Sequence, residues 1–195
     1  EMLRSLVGSE MCIRDRVEPV VCDPSLPWAL HDADLPQLKA EYEKLAFAMN
    51  ERRKQGKGFN FFHFMIDAGR TPCIYKRLKG CGVGSEYCAV TPAGEIYPCH
   101  QLVGDERFIM GNVLTGGLDP DSRVHEEFLK LLVPDKEACK ACWARYYCGG
   151  GCVSNAWHRQ QNLQGVDPFS CELLRKRLEC SLWLKAKRQE TAAQN

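Results

Sequence analysis

The 195 residues carry 26 basic and 25 acidic side chains, and this near-neutral balance excludes nucleic acid or an anionic membrane as the expected main partner. Apolar residues reach 45%, enough for a core, but there is no apolar run long enough to span a membrane and no secretory leader is expected, so the chain is read as cytoplasmic. Cysteine is the outlier at 12 residues, and in a reducing compartment clustered thiols hold metal more often than they pair as disulfides.

Residues 1–16 differ in character from the rest and resemble translated adapter or vector sequence, so they are set aside, Cys12 with them. The β-branched run 17–21 predicts a strand. Asp34 predicts an N-cap, with Pro36 in the first turn and Gln37 completing a capping box. Leu35, Leu38, Tyr42, Leu45, Ala46 and Met49 then recur at helical spacing. Arg52, Arg53 and Lys54 suit the negative end of that helix, and Gly56 can stop it. The aromatic run 59–66 predicts a second strand. Residues 17–66 are therefore expected to form a strand–helix–strand unit, with 17–69 the end of a partial α/β barrel.

Beyond residue 69, cysteine, glycine and proline become frequent and the elements short. Runs 86–91 and 95–99 predict a β-hairpin turned by Pro92, Ala93 and Gly94. Val124, Phe128, Leu131 and Leu132 predict a short helix ending before Pro134. A last helix is expected over 171–187, with 189–195 as a tail. The fold class is α+β, a barrel remnant followed by a cysteine-rich domain over 70–188.

The cysteines there are not scattered. Cys139-x2-Cys142-x5-Cys148-x3-Cys152 puts four thiols within fourteen residues, enough to surround a small inorganic object without a large core. Upstream, Cys81-x12-Gly94-x4-Cys99 lets the glycine turn the hairpin so that Cys99 faces back toward Cys81, and Cys171 follows downstream. Cysteine-only zinc sites usually come as two CxxC pairs, which the x5 and x3 gaps do not fit well. Gly149, Gly150 and Gly151 would leave backbone amides near a metal, or simply make a tight turn.

The remaining candidates have plainer readings. Cys88 is expected to pack in the core, and Cys22 lies outside the pattern. Cys180 should face away from Cys171 on a continuous helix, at about 100° per residue. His100 is expected to form hydrogen bonds or lie at the surface. His63, His125 and His158 share no ligand spacing. Trp143, Tyr146, Tyr147 and Trp157 are expected to pack.

The seven-cysteine string resembles the SPASM domain, the auxiliary cluster domain of radical S-adenosylmethionine (SAM) enzymes. The resemblance implies two auxiliary 4Fe-4S clusters. Cys81, Cys99 and Cys152 would hold the first, and Cys139, Cys142, Cys148 and Cys171 the second. The first then needs a further ligand, for which Cys73 is the candidate, or has an open iron that could bind a substrate thiolate.

Five segments narrow the resemblance: 17–21 (VEPVV), 41–45 (EYEKL), 58–67 (GFNFFHFMID), 76–82 (KRLKGCG) and 97–101 (YPCHQ). They look like the maturases of six-cysteine peptides, radical SAM enzymes that install thioether crosslinks in ribosomal peptides. The likeness covers about residues 17–188. It implies a 5′-deoxyadenosyl radical that removes a peptide hydrogen, and a cysteine-containing precursor peptide as substrate. It also implies an electron donor such as a flavodoxin or ferredoxin. The chain departs from that family in having no CxxxCxxC, since Asn155 stands where a third cysteine would follow Cys148 and Cys152. SAM and a third 4Fe-4S cluster are thus expected in an N-terminal part outside this chain, which alone would not cleave SAM. The alternatives are another SPASM maturase, of the sulfatase or quinone-cofactor type, or a zinc-binding interaction module.

Overall fold

Residues 17–20, 25–66 and 74–193 are described by the computed structural model. The expectations for residues 1–16, Val21, Cys22 and Cys73 lie outside them. The described residues fall into two units, one drawing on 17–20, 30–66 and 172–193, the other on 25–29 and 74–171.

In the first unit the predicted apolar stripe makes helix α1 (Leu35–Lys54). Its inner face buries Ala46 and Met49 with Phe61, Phe64, Cys180 and Leu184, while Tyr42 and Leu45 pack on the edge. Gly56 follows the helix with a φ of +72°, and its N–H donates to the Arg53 carbonyl at 3.0 Å. Asp34 is already helical in backbone, so its carboxylate serves the preceding turn, accepting from the His31 N–H at 2.8 Å. It gives α1 no side-chain cap, and the predicted box with Gln37 does not form.

The expected strand over 59–66 is instead a 3-10 turn at Phe62–Phe64. Only Phe61 takes a bridge position, and the aromatic content mainly serves the core: Phe61 and Phe64 meet edge to face at 4.9 Å. Residues 17–20 carry no strand either. Val17 is held by its carbonyl, which accepts from Arg177 Nη2 at 3.0 Å, while Arg177 Nε donates to the Tyr42 hydroxyl at 2.9 Å.

The second unit holds α2 (Ile74–Lys79), then a four-stranded antiparallel sheet in the order β1 (Ala89–Val90), β2 (Glu95–Tyr97), β3 (Gly111–Asn112) and β4 (Gly117–Leu118). Ala89 pairs with Tyr97 and Val90 with Ile96, so the predicted hairpin forms. Gly94 turns it at φ +86°, and a Cβ there would lie 2.5 Å from Asn112 Oδ1. Short helices follow: α3 (Arg123–Leu129), α4 (Glu137–Lys140), α5 (Arg145–Cys148) and α6 (Val153–Gln160). Tyr97, Leu102, Phe108, Phe128, Leu131 and Val153 form their core.

The last helix, α7 (Pro168–Ala193), is longer at both ends than expected and takes in most of the predicted tail. Asp167 starts it. Its carboxylate accepts from the backbone N–H groups of Phe169 and Ser170, each at 3.2 Å, and Pro168 occupies the first helical position. From residue 172 onward the helix belongs to the first unit, not to the cysteine-rich one.

Candidate metal centre

Cys81, Cys99 and Cys152 come from three unrelated elements. Cys81 follows α2 across Gly80, Cys99 leaves β2, and Cys152 is the N-cap residue of α6. The Cys152 thiol lies within electrostatic reach of the other two. Burial pushes the Cys152 thiol up, the backbone N–H groups of Asn155 and Ser154 pull it down, and the charges of Cys99 and Cys81 push it up again. Cys99 is buried, whereas Cys81 is exposed.

Cys139, Cys142, Cys148 and Cys171 are set out by local structure. Cys139 lies in α4, and the Cys142 N–H donates to its carbonyl at 3.1 Å. Cys148 ends α5, and Cys171 sits in the first turn of α7, its N–H donating to the Asp167 carbonyl at 3.0 Å. Burial pushes the Cys139 thiol up; Cys148 adds to this, Lys136 opposes it, and Cys142 adds again.

A backbone contact joins the two groups. A Cβ on Gly80 would fall 2.7 Å from the Gly149 carbonyl oxygen, and one on Gly149 would fall 2.6 Å from Gly80 Cα. Both glycines have positive φ, +66° and +67°. Only two bare backbones approach this closely, and the contact brings Cys81, next to Gly80, beside Cys148, next to Gly149. Gly150 and Gly151 also have positive φ, so the triple-glycine run is a left-handed turn.

One functional residue escaped the sequence reading. Lys136 is 3% exposed, and its ammonium donates to the carbonyls of Leu163 (3.1 Å) and Gly165 (2.7 Å). Burial pulls it below the usual lysine range, and the thiolates of Cys139, Cys171, Cys152 and Cys148 push it back up. A lysine between Asp135 and Glu137 reads as surface, and nothing in its own neighbourhood marks it otherwise.

The other candidates divide. Cys88 is exposed, so the packing expected of it does not occur; it lies just before the two-residue strand β1, outside the core. Cys180 is buried in the first unit's core, apart from the ligand candidates. His100 shares a 2.7 Å hydrogen bond with the Tyr87 hydroxyl and lies 3.8 Å from the Cys99 sulfur. His125 and His158 donate to the carbonyls of Gly84 (2.8 Å) and Gln101 (2.9 Å). His63 packs edge to face with Phe61 at 5.3 Å. Trp157 packs against Phe108 at 5.0 Å, Trp143 is exposed, and Tyr147, also exposed, has the Arg77 guanidinium over its ring at 5.3 Å.

Cys81, Cys88, Cys99, Cys139, Cys142, Cys148, Cys152, Cys171 and Cys180 are free thiols. Among the described residues no three His, Cys, Asp or Glu side chains are gathered closely enough for a single ion. An iron–sulfur cube, with irons at alternate corners, takes a wider cage of thiolates. Thiol-only groups, glycine backbone between them and a buried cation beside them fit that object.

Residues 81–143 match the SPASM family, described as an iron–sulfur cluster-binding domain. The match takes in Cys81, Cys99, Cys139 and Cys142. The mycofactocin maturase MftC of Mycobacterium ulcerans (strain Agy99) is 34% identical over 113 residues, covering 57% of this chain and 30% of that protein. MftC of Mycolicibacterium smegmatis (strain ATCC 700084 / mc(2)155) is 32% identical over 117 residues, covering 59% and 29%. The chain thus spans less than a third of the length of these relatives. Among solved structures, native anSMEcpe with bound AdoMet and Kp18Cys peptide superposes with a TM-score of 0.61 at 18% identity, covering 89% of this chain and 48% of that one. That likeness is one of fold.

Proposed function

We propose that this chain supplies the thiolates of two 4Fe-4S clusters auxiliary to a radical SAM reaction. Cys81, Cys99 and Cys152 serve the first, with Cys73 as its candidate fourth ligand, and Cys139, Cys142, Cys148 and Cys171 serve the second. The observation that supports this reading is that Cys152 lies within electrostatic reach of both Cys81 and Cys99, beside a second thiol group that acts on Lys136. Bound clusters would supply one-electron sites and, in the first, an iron able to take a substrate thiolate. The chain's own residues hold and insulate these sites. The amides of Ser154 and Asn155 favour thiolate at Cys152, and the Gly80–Gly149 approach fixes the spacing of the two groups.

The activity proposed for the whole protein is maturation of a cysteine-containing ribosomal peptide by thioether crosslinking, in the cytoplasm. A flavodoxin- or ferredoxin-like donor would supply the electrons. SAM is assigned to residues outside this chain. The likeness to proteins named mycofactocin maturases supports a second reading, a maturase of that type in place of one that installs thioethers.

Anaerobic reconstitution tests the cluster assignment. The chain should turn brown and hold roughly eight iron and eight sulfide, and form no 5′-deoxyadenosine from SAM. A colourless zinc protein would sink the assignment. Mass spectrometry of the precursor peptide after incubation with the full-length enzyme separates the thioether reading from its alternative.

A further inference from the structure

The buried ammonium of Lys136 takes no part in holding the proposed clusters, yet it lies among their ligands. Its stem runs beside Gly150, where an added Cβ would meet its Cδ and Cε at 3.4 and 3.5 Å. It lines the same small cavity as Cys81, Gly149 and Gly151. Its own carbonyl accepts from the Cys139 N–H at 2.9 Å. Its Nζ is anchored by two neutral carbonyls, those of Leu163 and Gly165, so hydrogen bonds hold the charge without cancelling it. The strongest charges that would act on it are those of cysteines from both ligand groups when ionised: Cys139, Cys171 and Cys148 of one, Cys152 of the other.

We propose that Lys136 is a positioning and charge-setting residue shared by the two auxiliary clusters, one fixed cation that stabilises the reduced state of each and raises its reduction potential. This rests on the cluster assignment above. A four-thiolate cube carries roughly two negative charges when oxidised and three when reduced. A cation held nearby at low dielectric therefore favours the reduced form more than the oxidised one. One electron enters from an external donor, and no bond forms or breaks. Taking an ammonium out of water is costly unless something compensates it. Loading both thiolate groups provides that compensation, so the cation also favours cluster uptake.

The test uses the full chain, reconstituted anaerobically, with three variants. Lys136→Met removes charge and donor, Lys136→Gln removes charge but keeps an N–H donor, and Lys136→Arg keeps charge. Iron and sulfide are counted first, and then the midpoint potentials are read by mediated titration with electron paramagnetic resonance. The potentials of Lys136→Met and Lys136→Gln should both move to more negative values, with Lys136→Arg staying near the parent. If the neutral variants fail to load iron while Lys136→Arg loads fully, the charge role is also supported. Full loading of all variants with unmoved potentials overturns it. So does loss of iron from Lys136→Arg as well, which would mark a clip whose shape matters and whose charge does not. If the parent chain itself holds no iron and sulfide, the cluster assignment fails first, and the two failures are told apart by that count.

Discussion

At Gly149 a single methyl group would do two kinds of damage. The residue sits at φ +67°, where a side chain costs about 1–2 kcal/mol, and a Cβ would reach 2.6 Å from Gly80 Cα, a backbone atom that cannot swing aside. Gly149→Ala should therefore melt at a lower temperature and separate Cys148 from Cys81, losing iron from both groups. Iron counts and anaerobic thermal unfolding check this, and a fully loaded variant with parental melting would show that the close approach is dispensable. Cys180 allows a test free of metal. Burial among apolar side chains pushes its thiol to about 11 from an ordinary 9.0. The folded state thus prefers the protonated thiol, so this contribution is intact below about pH 9 and is lost as pH rises through about 11. The loss is of order 2 kcal/mol. Urea unfolding of the reduced apoprotein at about pH 8 and about pH 10.5 should show a steeper alkaline decline in the parent than in Cys180→Ala; parallel declines would mean that the thiol ionises freely.

Among the elements, what could be read in advance had a periodic or turn-specific signal. Helix α1 repeats its apolar residues from Leu35 to Met49, about four turns, and the β1–β2 hairpin is punctuated by a glycine at φ +86°. Strands β3 and β4 have two residues each, too short to alternate, and Gly111 and Gly117 supply no side chain to betray a face. The aromatic run at 59–66 carried strand propensity, but only Phe61 takes a single bridge position; Phe62–Phe64 turn as a 3-10 helix, with Phe61 and Phe64 buried in the core. The candidate ligands were legible because thiol spacing survives without knowledge of the fold, whereas Lys136 was not, because its burial depends on carbonyls 27 and 29 residues away. The expected last helix begins at Cys171, whereas α7 starts at Pro168, and Asp167-Pro168 is the helix-start signature that marks it. That cap invites a prediction. Asp167→Ala would leave the N–H groups of Phe169 and Ser170 without their acceptor and should cost about 1 kcal/mol. Cys171 lies in the released turn, so iron should fall to about half, with the group of Cys81, Cys99 and Cys152 still filled. Asp167→Asn, also a good cap, should restore loading. Equal iron in all three proteins would mean that the cap does not position Cys171.

For the whole molecule, the two units differ in what can hold them together. One has α1 of 20 residues and the greater part of α7, helices long enough to be stabilised along one packed face. The other places Cys139, Cys142 and Cys148 on or beside α4 and α5, helices of four residues each, below the length at which helical hydrogen bonds repay nucleation. Its core of Tyr97, Leu102, Phe108, Phe128 and neighbours secures the hairpin and α3, but the stretch from Lys136 to Cys152 is mostly turns between thiols. Where regular structure is this short, ligand binding becomes folding free energy. Cluster loading should thus slow amide exchange strongly over residues 136–152 and around Cys81, Cys99 and Cys171. Residues 35–54 should change little. Hydrogen-exchange mass spectrometry of the apo and reconstituted chain checks this directly. Protection spread evenly over both units would mean that the molecule folds as one cooperative body. Unchanged exchange at 136–152 would mean that the protein builds the thiol cage without metal.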